Sequence, residues 1–283
     1  MDFTTRIDFA FLDSGTGGIP YMISLHEKMP EARCVYLGDT VHFPYGEKTS
    51  SQVTECASET ISMIVKLWNP KVIVVACNTI SVTALDELRK IFPEISIIGT
   101  VPAIKLAAKI TRNKRIGLLA TNATVRHPYC QRLIDDFASD CFVAKRGDPD
   151  LVNFVEKRYF EADEEERLAA VKPAADFFKA QNCDTVVLGC THFTHIFNEM
   201  KKACGEGIQV VDSRDGVANQ SIRKLRMQNS KCKTDECGAN VASPSDELLN
   251  LTFFVTKADK KEEDEYKSLC KNMDIPYGGI LRI

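Results

Sequence analysis

Two cysteines, Cys77 and Cys190, each stand where a short apolar run gives way to polar residues. The runs are VIVVAC and TVVLGC, and the polar pairs that follow them are Asn78-Thr79 and Thr191-His192. Each pair can cap a following helix, whose free N–H groups and dipole would lower the pKa of the adjacent thiol from about 8.5 toward neutrality. A thiol in that range can both take and return a proton. The sequence therefore predicts two cysteines with acid–base chemistry.

Three uses compete for such cysteines: an acyl-transfer nucleophile, a metal ligand and a proton-transfer base. A nucleophile needs one thiolate with one general base, so a second equivalent cysteine would be redundant. Two equivalent cysteines that face each other across a cleft would instead supply a base and an acid on opposite faces of one carbon. The pairing therefore favours the third use, the inversion of a stereocentre.

The segment CTHFTH raises the metal interpretation separately, since Cys190, His192 and His195 fall within six residues. The spacing lacks the acidic residue of an HExxH motif, and a fourth ligand is missing, so we expect no metal here. We place His192 in the site and His195 on a helix surface.

The segment FLDSGTGG, residues 11–18, is a glycine-rich turn of the kind that often holds phosphate. It lacks the lysine of a Walker loop, and Pro20 stands where a dinucleotide fingerprint needs its third glycine. Asp13 would repel a phosphate, whereas it would attract an ammonium group or hold a proton beside a thiol. We therefore expect the N–H groups of Gly15, Gly17 and Gly18 to bind a carboxylate, not a nucleotide.

The elements that must position these residues alternate along the chain. Apolar runs predict strands at DFAFLD, CVYLGD, VIVVAC, SIIGTV, RIGLLAT, TVVLGC, IQVVD and LTFFVT. Helical spacing predicts a helix over 50–68, with Ser50 or Ser51 as its N-cap, and another helix after VIVVAC. Alternation of this kind is typical of α/β proteins with largely parallel sheets. The final GGILRI predicts an edge strand.

The turns and cysteines suggest an internal duplication. Cys77 lies 64 positions after the turn at Asp13, and Cys190 lies 69 positions after a similar turn at Thr121. The two turns are 108 residues apart and the two cysteines 113. We therefore expect two similar doubly wound α/β domains, the first formed by residues 1–99 plus 212–283 and the second by residues 100–211.

Composition narrows the class of partner. The net charge of −3 and the pI near 6.0 do not indicate nucleic acid or an anionic membrane as partners, and small polar metabolites remain. The start of the chain does not resemble a secretory signal, and its apolar stretches are shorter than a membrane span. Eleven scattered cysteines without CxxC pairs suit a reducing compartment, so we expect a cytoplasmic protein.

Two polar segments receive structural interpretations. Residues 227–250 read as a flexible connection, and the spacing of Cys232 and Cys237 without nearby histidines argues against zinc. The acidic run EADEEER, residues 161–167, reads as the solvated first turn of a helix.

Four motifs, DSGTGG, GDTVHFPYG, ACNT and GCTH, in this order and at these separations, resemble the aspartate/glutamate racemase superfamily. The similarity runs from Phe9 to about Val217 and, more faintly, through LTFFVTKAD. It implies two domains related by pseudo-twofold symmetry with the active site between them, and cofactor-independent racemisation of glutamate. Cys77 would take the α-proton from D-glutamate and Cys190 from L-glutamate, assisted by Asp13 and His192 respectively.

The resemblance also implies a set of substrate-binding residues: Asp13, Ser14, Tyr45, Gly46, Asn78, Thr79, Thr121, Thr124, Thr191 and His192. Glu156 corresponds to a glutamate of the family in a loosely matched segment and would support the site from behind, the alternative being a surface helix residue. The sequence departs from the family at Thr16 and at HFTH after Cys190. Members supply D-glutamate for bacterial peptidoglycan and are usually homodimers. Aspartate or another amino acid as substrate, and a non-catalytic amino-acid-binding regulator, remain alternatives.

Overall fold

The computed structural model describes residues 7–232 and 250–282, in which ten strands form two sheets. The first sheet has six strands in the order β10-β9-β2-β1-β3-β4, namely β1 Phe9–Asp13, β2 Cys34–Gly38, β3 Val72–Val75, β4 Ser96–Gly99, β9 Thr252–Val255 and β10 Tyr277–Ile280. The second has the order β6-β5-β7-β8, namely β5 Arg115–Ala120, β6 Phe142–Gly147, β7 Thr185–Leu188 and β8 Gln209–Val211. Every strand pair is parallel. The predicted α/β class with parallel sheets is confirmed.

Helices cover both faces of each sheet, and the apolar strands are buried between them. They are α1 Ile19–Lys28, α2 Ser50–Trp68, α3 Asn78–Ile91, α4 Ile104–Ile110, α5 Asn122–Arg126, α6 Pro128–Phe137, α7 Pro149–Lys157, α8 Glu164–Ala180, α9 Phe197–Cys204, α10 Arg214–Cys232 and α11 Lys260–Asn272. Short 3₁₀ turns cover Thr40–His42, Tyr45–Glu47 and Thr191–Thr194. Among the residues placed by the structure, no helix combines the length and apolar character needed to cross a membrane.

The shared strand order supports the predicted duplication. In each sheet the first strand of the unit is central, with the second strand on one side and the third and fourth on the other. β1 and β5 are therefore equivalent, as are β3 and β7. The chain leaves the first sheet after β4 and returns through α10, whose Val217 and Leu225 pack into the core beside Phe9.

Some local expectations need correction. The N-cap of α2 is Thr49, because Thr49 and Gln52 form a reciprocal capping box, so the choice of Ser50 or Ser51 was wrong. Strand β6 was missed because its sequence, FVAKRG, mixes apolar and basic residues at a partly exposed sheet edge. Helix α10 continues to Cys232, so residues 227–232 are helical and not part of a loop.

Two further expectations, for the acidic run and for the last strand, are confirmed. Asp163 caps α8 and the acidic run forms its first turn, while β10 is an edge strand. The rest of the expected flexible connection, with Cys237, lies outside the described residues.

Candidate active site

The carboxyl ends of two equivalent pairs of strands, β1 with β5 and β3 with β7, surround one small cavity. Its volume is about 40 Å³, which is room for only about three water molecules. Most residues predicted for the site line it: Ser14, Tyr45, Gly46, Cys77, Asn78, Thr79, Thr121, Cys190, Thr191 and His192. Asp13, Thr124 and Glu156 lie behind this lining. Residues that sequence reasoning missed complete the wall: Phe43, Pro44, Glu47, Asn122, Pro149, Val152 and Asn153.

The two cysteines reach the cavity from equivalent places in the two halves. Cys77 and Cys190 each follow a strand and form the N-cap of the next helical segment, α3 and the 3₁₀ turn Thr191–Thr194. Both side chains are buried, with residue exposures of 4% and 3%. A ligand in the cavity would therefore meet one thiol from each half.

Cys190 is linked to a buried histidine–glutamate pair. Its Sγ lies 3.8 Å from Nδ1 of His192, whose Nε2 lies 2.9 Å from Oε2 of Glu156. The same carboxylate oxygen accepts hydrogen bonds from the backbone N–H of Thr16 at 2.9 Å and from its hydroxyl at 2.7 Å. Glu156 is thus not a surface residue, and the structure places it directly behind His192.

At His192 and Glu156, the effect of charge pairing on the pKa outweighs the effect of burial. Burial alone would lower the pKa of His192, but hydrogen bonds and charges from Cys190 and Glu156 raise it well above its usual range. Burial would likewise raise the pKa of Glu156, but His192 and the two bonds from Thr16 lower it below its ordinary value. The pair is an imidazolium and a carboxylate, and the positive ring faces Cys190.

Cys77 has a different partner, the fully buried Asp13. The Asp13 carboxylate accepts hydrogen bonds from the N–H of Ser14 at 2.7 Å and from the hydroxyl of Thr191 at 3.2 Å. Burial raises the pKa of Asp13, and the charge on His192 only partly offsets this. Thr191 belongs to the second half, so Asp13 is held from both sides of the cleft.

The pKa of the Cys77 thiol is raised well above its usual range, first by burial and then by the charge on Asp13. The N–H of Ile80, near the start of α3, acts in the opposite direction but is outweighed. The expected lowering of this thiol pKa by a helix N-terminus is therefore wrong. Cys77 is a protonated thiol that can donate a proton, which suits the role of an acid.

The glycine loop approaches side chains of the protein itself. A Cβ atom on Gly15 would lie 2.4 Å from Oε1 of Glu156, and one on Gly17 would lie 2.5 Å from Nδ1 of His192. The N–H of Gly18 donates to the hydroxyl of Tyr36 at 2.9 Å, so it is not free for a substrate carboxylate as expected. The carboxylate held by this loop is that of Glu156, through the N–H of Thr16.

Asn78 has the character of a ligand-binding residue. It lines the cavity with 1% exposure, and neither its amide nitrogen nor its amide oxygen has a hydrogen-bond partner. Buried polar atoms are rarely left in that state. The nearby hydroxyls of Thr79 and Thr121 lie 3.1 Å apart across the cleft, and Thr121 in turn is bonded to Thr124. Thr124 therefore orients a cavity residue.

Asp39 is a site residue that sequence reasoning missed. Its fully buried carboxylate accepts hydrogen bonds from the hydroxyls of Tyr45 at 2.5 Å and Thr60 at 2.7 Å, and it contacts His42 Nδ1 at 2.9 Å. Its N–H donates to the carbonyl of Asp13 at 2.7 Å. The available signal was its position: it follows β2 directly, in the same way that Asp13 ends β1.

Asp39→Asn is expected to lower the free energy of unfolding by about 1.5–3 kcal/mol, because an amide cannot replace a charged acceptor shared by several donors. Urea denaturation of both proteins measures this loss. Asp86→Asn, at an 84% exposed side chain, is the matched control and should leave stability unchanged. Equal stability of Asp39→Asn and the unaltered chain would contradict the central role of this carboxylate.

His195 does not lie on a helix surface as expected. Its Nε2 is 3.1 Å from the carbonyl oxygen of Thr16, and its ring packs against Phe160. Burial lowers the pKa of His195 to about 4, so the ring is neutral and donates to that carbonyl. In the part of the chain that the structure covers, no group of three His, Cys, Asp or Glu side chains is arranged to hold a metal ion.

Comparison with known proteins agrees with this geometry. The family model described as Asp/Glu/Hydantoin racemase matches residues 23–220. A glutamate racemase of Treponema pallidum (strain Nichols) is 38% identical over 223 residues, which are 78% of this chain and 82% of that protein. One from Proteus mirabilis (strain HI4320) is 39% identical over 214 residues, covering 74% and 73%.

Solved structures show the same relationship to glutamate racemases. The crystal structure of Escherichia coli glutamate racemase in complex with L-glutamate and the activator UDP-MurNAc-Ala superposes with a TM-score of 0.81 at 28% identity, over 98% of both chains. The predicted two-domain architecture is confirmed by this likeness. With paired thiols at equivalent strand ends and matches in both sequence and structure, the chain belongs to the Asp/Glu/hydantoin racemase family.

Proposed function

We propose that the chain is a glutamate racemase that interconverts L-glutamate and D-glutamate by a two-base mechanism without a cofactor. The observation that carries this proposal is the pair of buried thiols that line one cavity from equivalent strands of two similar sheets. One thiol on each side allows a proton to leave one face of the α-carbon while another arrives at the opposite face.

The two thiols have different neighbours, which supports a different role for each when L-glutamate reacts. Cys190, whose Sγ lies beside the His192 ring, takes the α-proton of L-glutamate. Cys77, protonated beside Asp13, delivers its proton to the opposite face and becomes the thiolate. The reverse reaction starts from that thiolate and D-glutamate, so each step transfers one proton and no group changes its oxidation state.

The lining supplies polar groups for the substrate. We assign Ser14, Asn78, Thr79, Thr121 and Thr191 to the ammonium and carboxylates, since their hydroxyl and amide groups line the cavity. Tyr45 and Gly46 also line the cavity. Because the cavity holds only a few waters, we infer that the cleft opens to admit glutamate and closes around it, which excludes water from the carbanion-like transition state.

The wider role rests on family membership. We infer supply of D-glutamate for peptidoglycan in the cytoplasm, and assembly as a homodimer. We also propose the domain division of residues 1–99 plus 212–283 and residues 100–211, which is supported by the separate strand sets of the two sheets.

The test is incubation with L-glutamate in D₂O, with the α-proton followed by NMR and the enantiomers by optical rotation. We expect loss of the α-proton signal together with decay of optical rotation to zero. The same assay on a panel of L-amino acids, aspartate included, identifies the preferred substrate. Tight glutamate binding by folded, reduced protein without any exchange of the α-proton would contradict the proposal and indicate a non-catalytic binding protein.

A further inference from the structure

Behind the His192–Glu156 pair lies a second cavity, here called the rear groove, with a volume of about 440 Å³. Its wall includes Thr16, Phe43, Glu156, Phe160, Lys257 and Glu265. His192 lines the active-site cavity, Glu156 lines the rear groove, and Phe43 lines both. The histidine–glutamate pair therefore spans the wall between the site and the groove.

The atoms of this pair form a continuous chain. It runs from Cys190 Sγ to His192 Nδ1 at 3.8 Å, and from His192 Nε2 to Glu156 Oε2 at 2.9 Å. The hydrogen bonds from Thr16 also end on Oε2, and the Glu156 side chain keeps 5% of its surface exposed. Glu156 is thus the member of this chain that lies on the groove.

The Cys77 side has no comparable path within residues 7–232 and 250–282. Asp13 is fully buried, and the groups that contact its carboxylate, on Ser14, Tyr36 and Thr191, are buried as well. One thiol is connected to a solvent-lined groove, and the other is enclosed.

We propose that His192 and Glu156 form the route by which the proton held at Cys190 exchanges with solvent in the rear groove. The inference rests on the proposed racemase function. After one conversion of L-glutamate, Cys190 carries the α-proton and Cys77 is a thiolate. His192 passes its Nε2 proton to Glu156, which releases it to groove water. The neutral ring keeps its Nδ1 proton, turns about its Cβ–Cγ bond so that the vacated nitrogen faces Cys190, and takes the thiol proton there, which restores the thiolate and the imidazolium. Cys77 takes a proton from water that enters the vacated cavity, so one proton leaves and one arrives.

The return of both thiols to their starting protonation states is here called the reset. Two rates distinguish the reset from the racemisation step itself. Net conversion of saturating L-glutamate requires the reset after every turnover. Exchange of isotopic label between the L and D pools at equilibrium does not, because turnovers in alternate directions restore each thiol. The ratio of the net rate to the exchange rate therefore reports the reset, whereas a general defect of the site lowers both rates together.

Glu156→Gln is expected to lower this ratio at least about tenfold, because an amide cannot carry the proton. Glu156→Asp retains a carboxyl group and should restore most of the ratio. Glu161→Gln is the matched control: Glu161 also lines the groove, but its side chain is 57% exposed and pairs with Arg158. That variant should keep the ratio of the unaltered chain.

Ser268→Trp tests the route while leaving Glu156 in place, because Ser268 lies on the exposed wall of the groove. Filling the groove should also lower the ratio, and thermal unfolding checks that each variant is folded. An unchanged ratio in both folded variants would overturn the proposal and indicate proton transfer between the thiols through cavity water. Absence of any racemisation by the unaltered chain would instead overturn the proposed function.

Discussion

Cys77→Ser and Cys190→Ser are each expected to reduce glutamate racemisation by about a hundredfold to ten-thousandfold, the usual contribution of a positioned acid or base. A serine hydroxyl fits either site, but it ionises far less readily than a thiol and returns a proton poorly to a carbanion. Both directions should be affected in each variant, since each thiol is the base in one direction and the acid in the other. Circular dichroism or NMR assays of enantiomer interconversion measure the loss.

Cys204→Ser is the matched control for this experiment. Cys204 is as deeply buried as the two site cysteines and belongs to the same apolar cluster as Cys190, but it does not line the cavity. It should retain turnover even where it costs some stability. Full activity in either site variant would remove the two-base mechanism.

Gly17→Ala is expected to lower turnover by at least about a hundredfold. Its new Cβ would lie 2.5 Å from Nδ1 and 2.7 Å from the backbone nitrogen of His192, so the ring or its backbone must move. Displacing the ring breaks the alignment of Cys190, His192 and Glu156. Steady-state kinetics should show the loss mainly in kcat, because the ring acts on the base.

Gly216→Ala provides the comparison for the glycine substitution. Gly216 lies in α10 with no atom within 4 Å of the added Cβ. This change should preserve activity and stabilise the chain by about 0.5–1 kcal/mol, because alanine favours a helix over glycine. If Gly17→Ala kept the turnover of the Gly216→Ala protein, the tight approach of the loop to His192 would have no catalytic importance.

The placement of the two cysteines could be predicted from the sequence because it depends on local patterns. A buried parallel strand is a short apolar run, and the residue after it lies at the edge where ligands bind. Cys77 and Cys190 both follow such runs. Strand β6 was not predicted, because an edge strand with basic residues has no such pattern.

Contacts between distant segments could not be predicted in the same way. Thr16 and Glu156 are separated by 140 residues, and their hydrogen bond decides which carboxylate the glycine loop holds. Burial also depends on segments that are distant in the sequence. The helix N-terminus after Cys77 predicts a lowered thiol pKa, but enclosure by both halves and the charge of Asp13 raise that pKa. Asp39 was overlooked for a related reason, since its several partners meet it only in the folded chain.

The unlike surroundings of the two thiols have a kinetic consequence. Enantiomers have equal free energies in water, so a racemase must show the same kcat/KM in both directions whatever its structure. A site in which one base is backed by an ion pair and the other by a buried acid need not bind the two enantiomers equally. Any difference in KM between L-glutamate and D-glutamate must then be matched by the same difference in kcat, so the enantiomer with the higher KM is also the one converted faster at saturation.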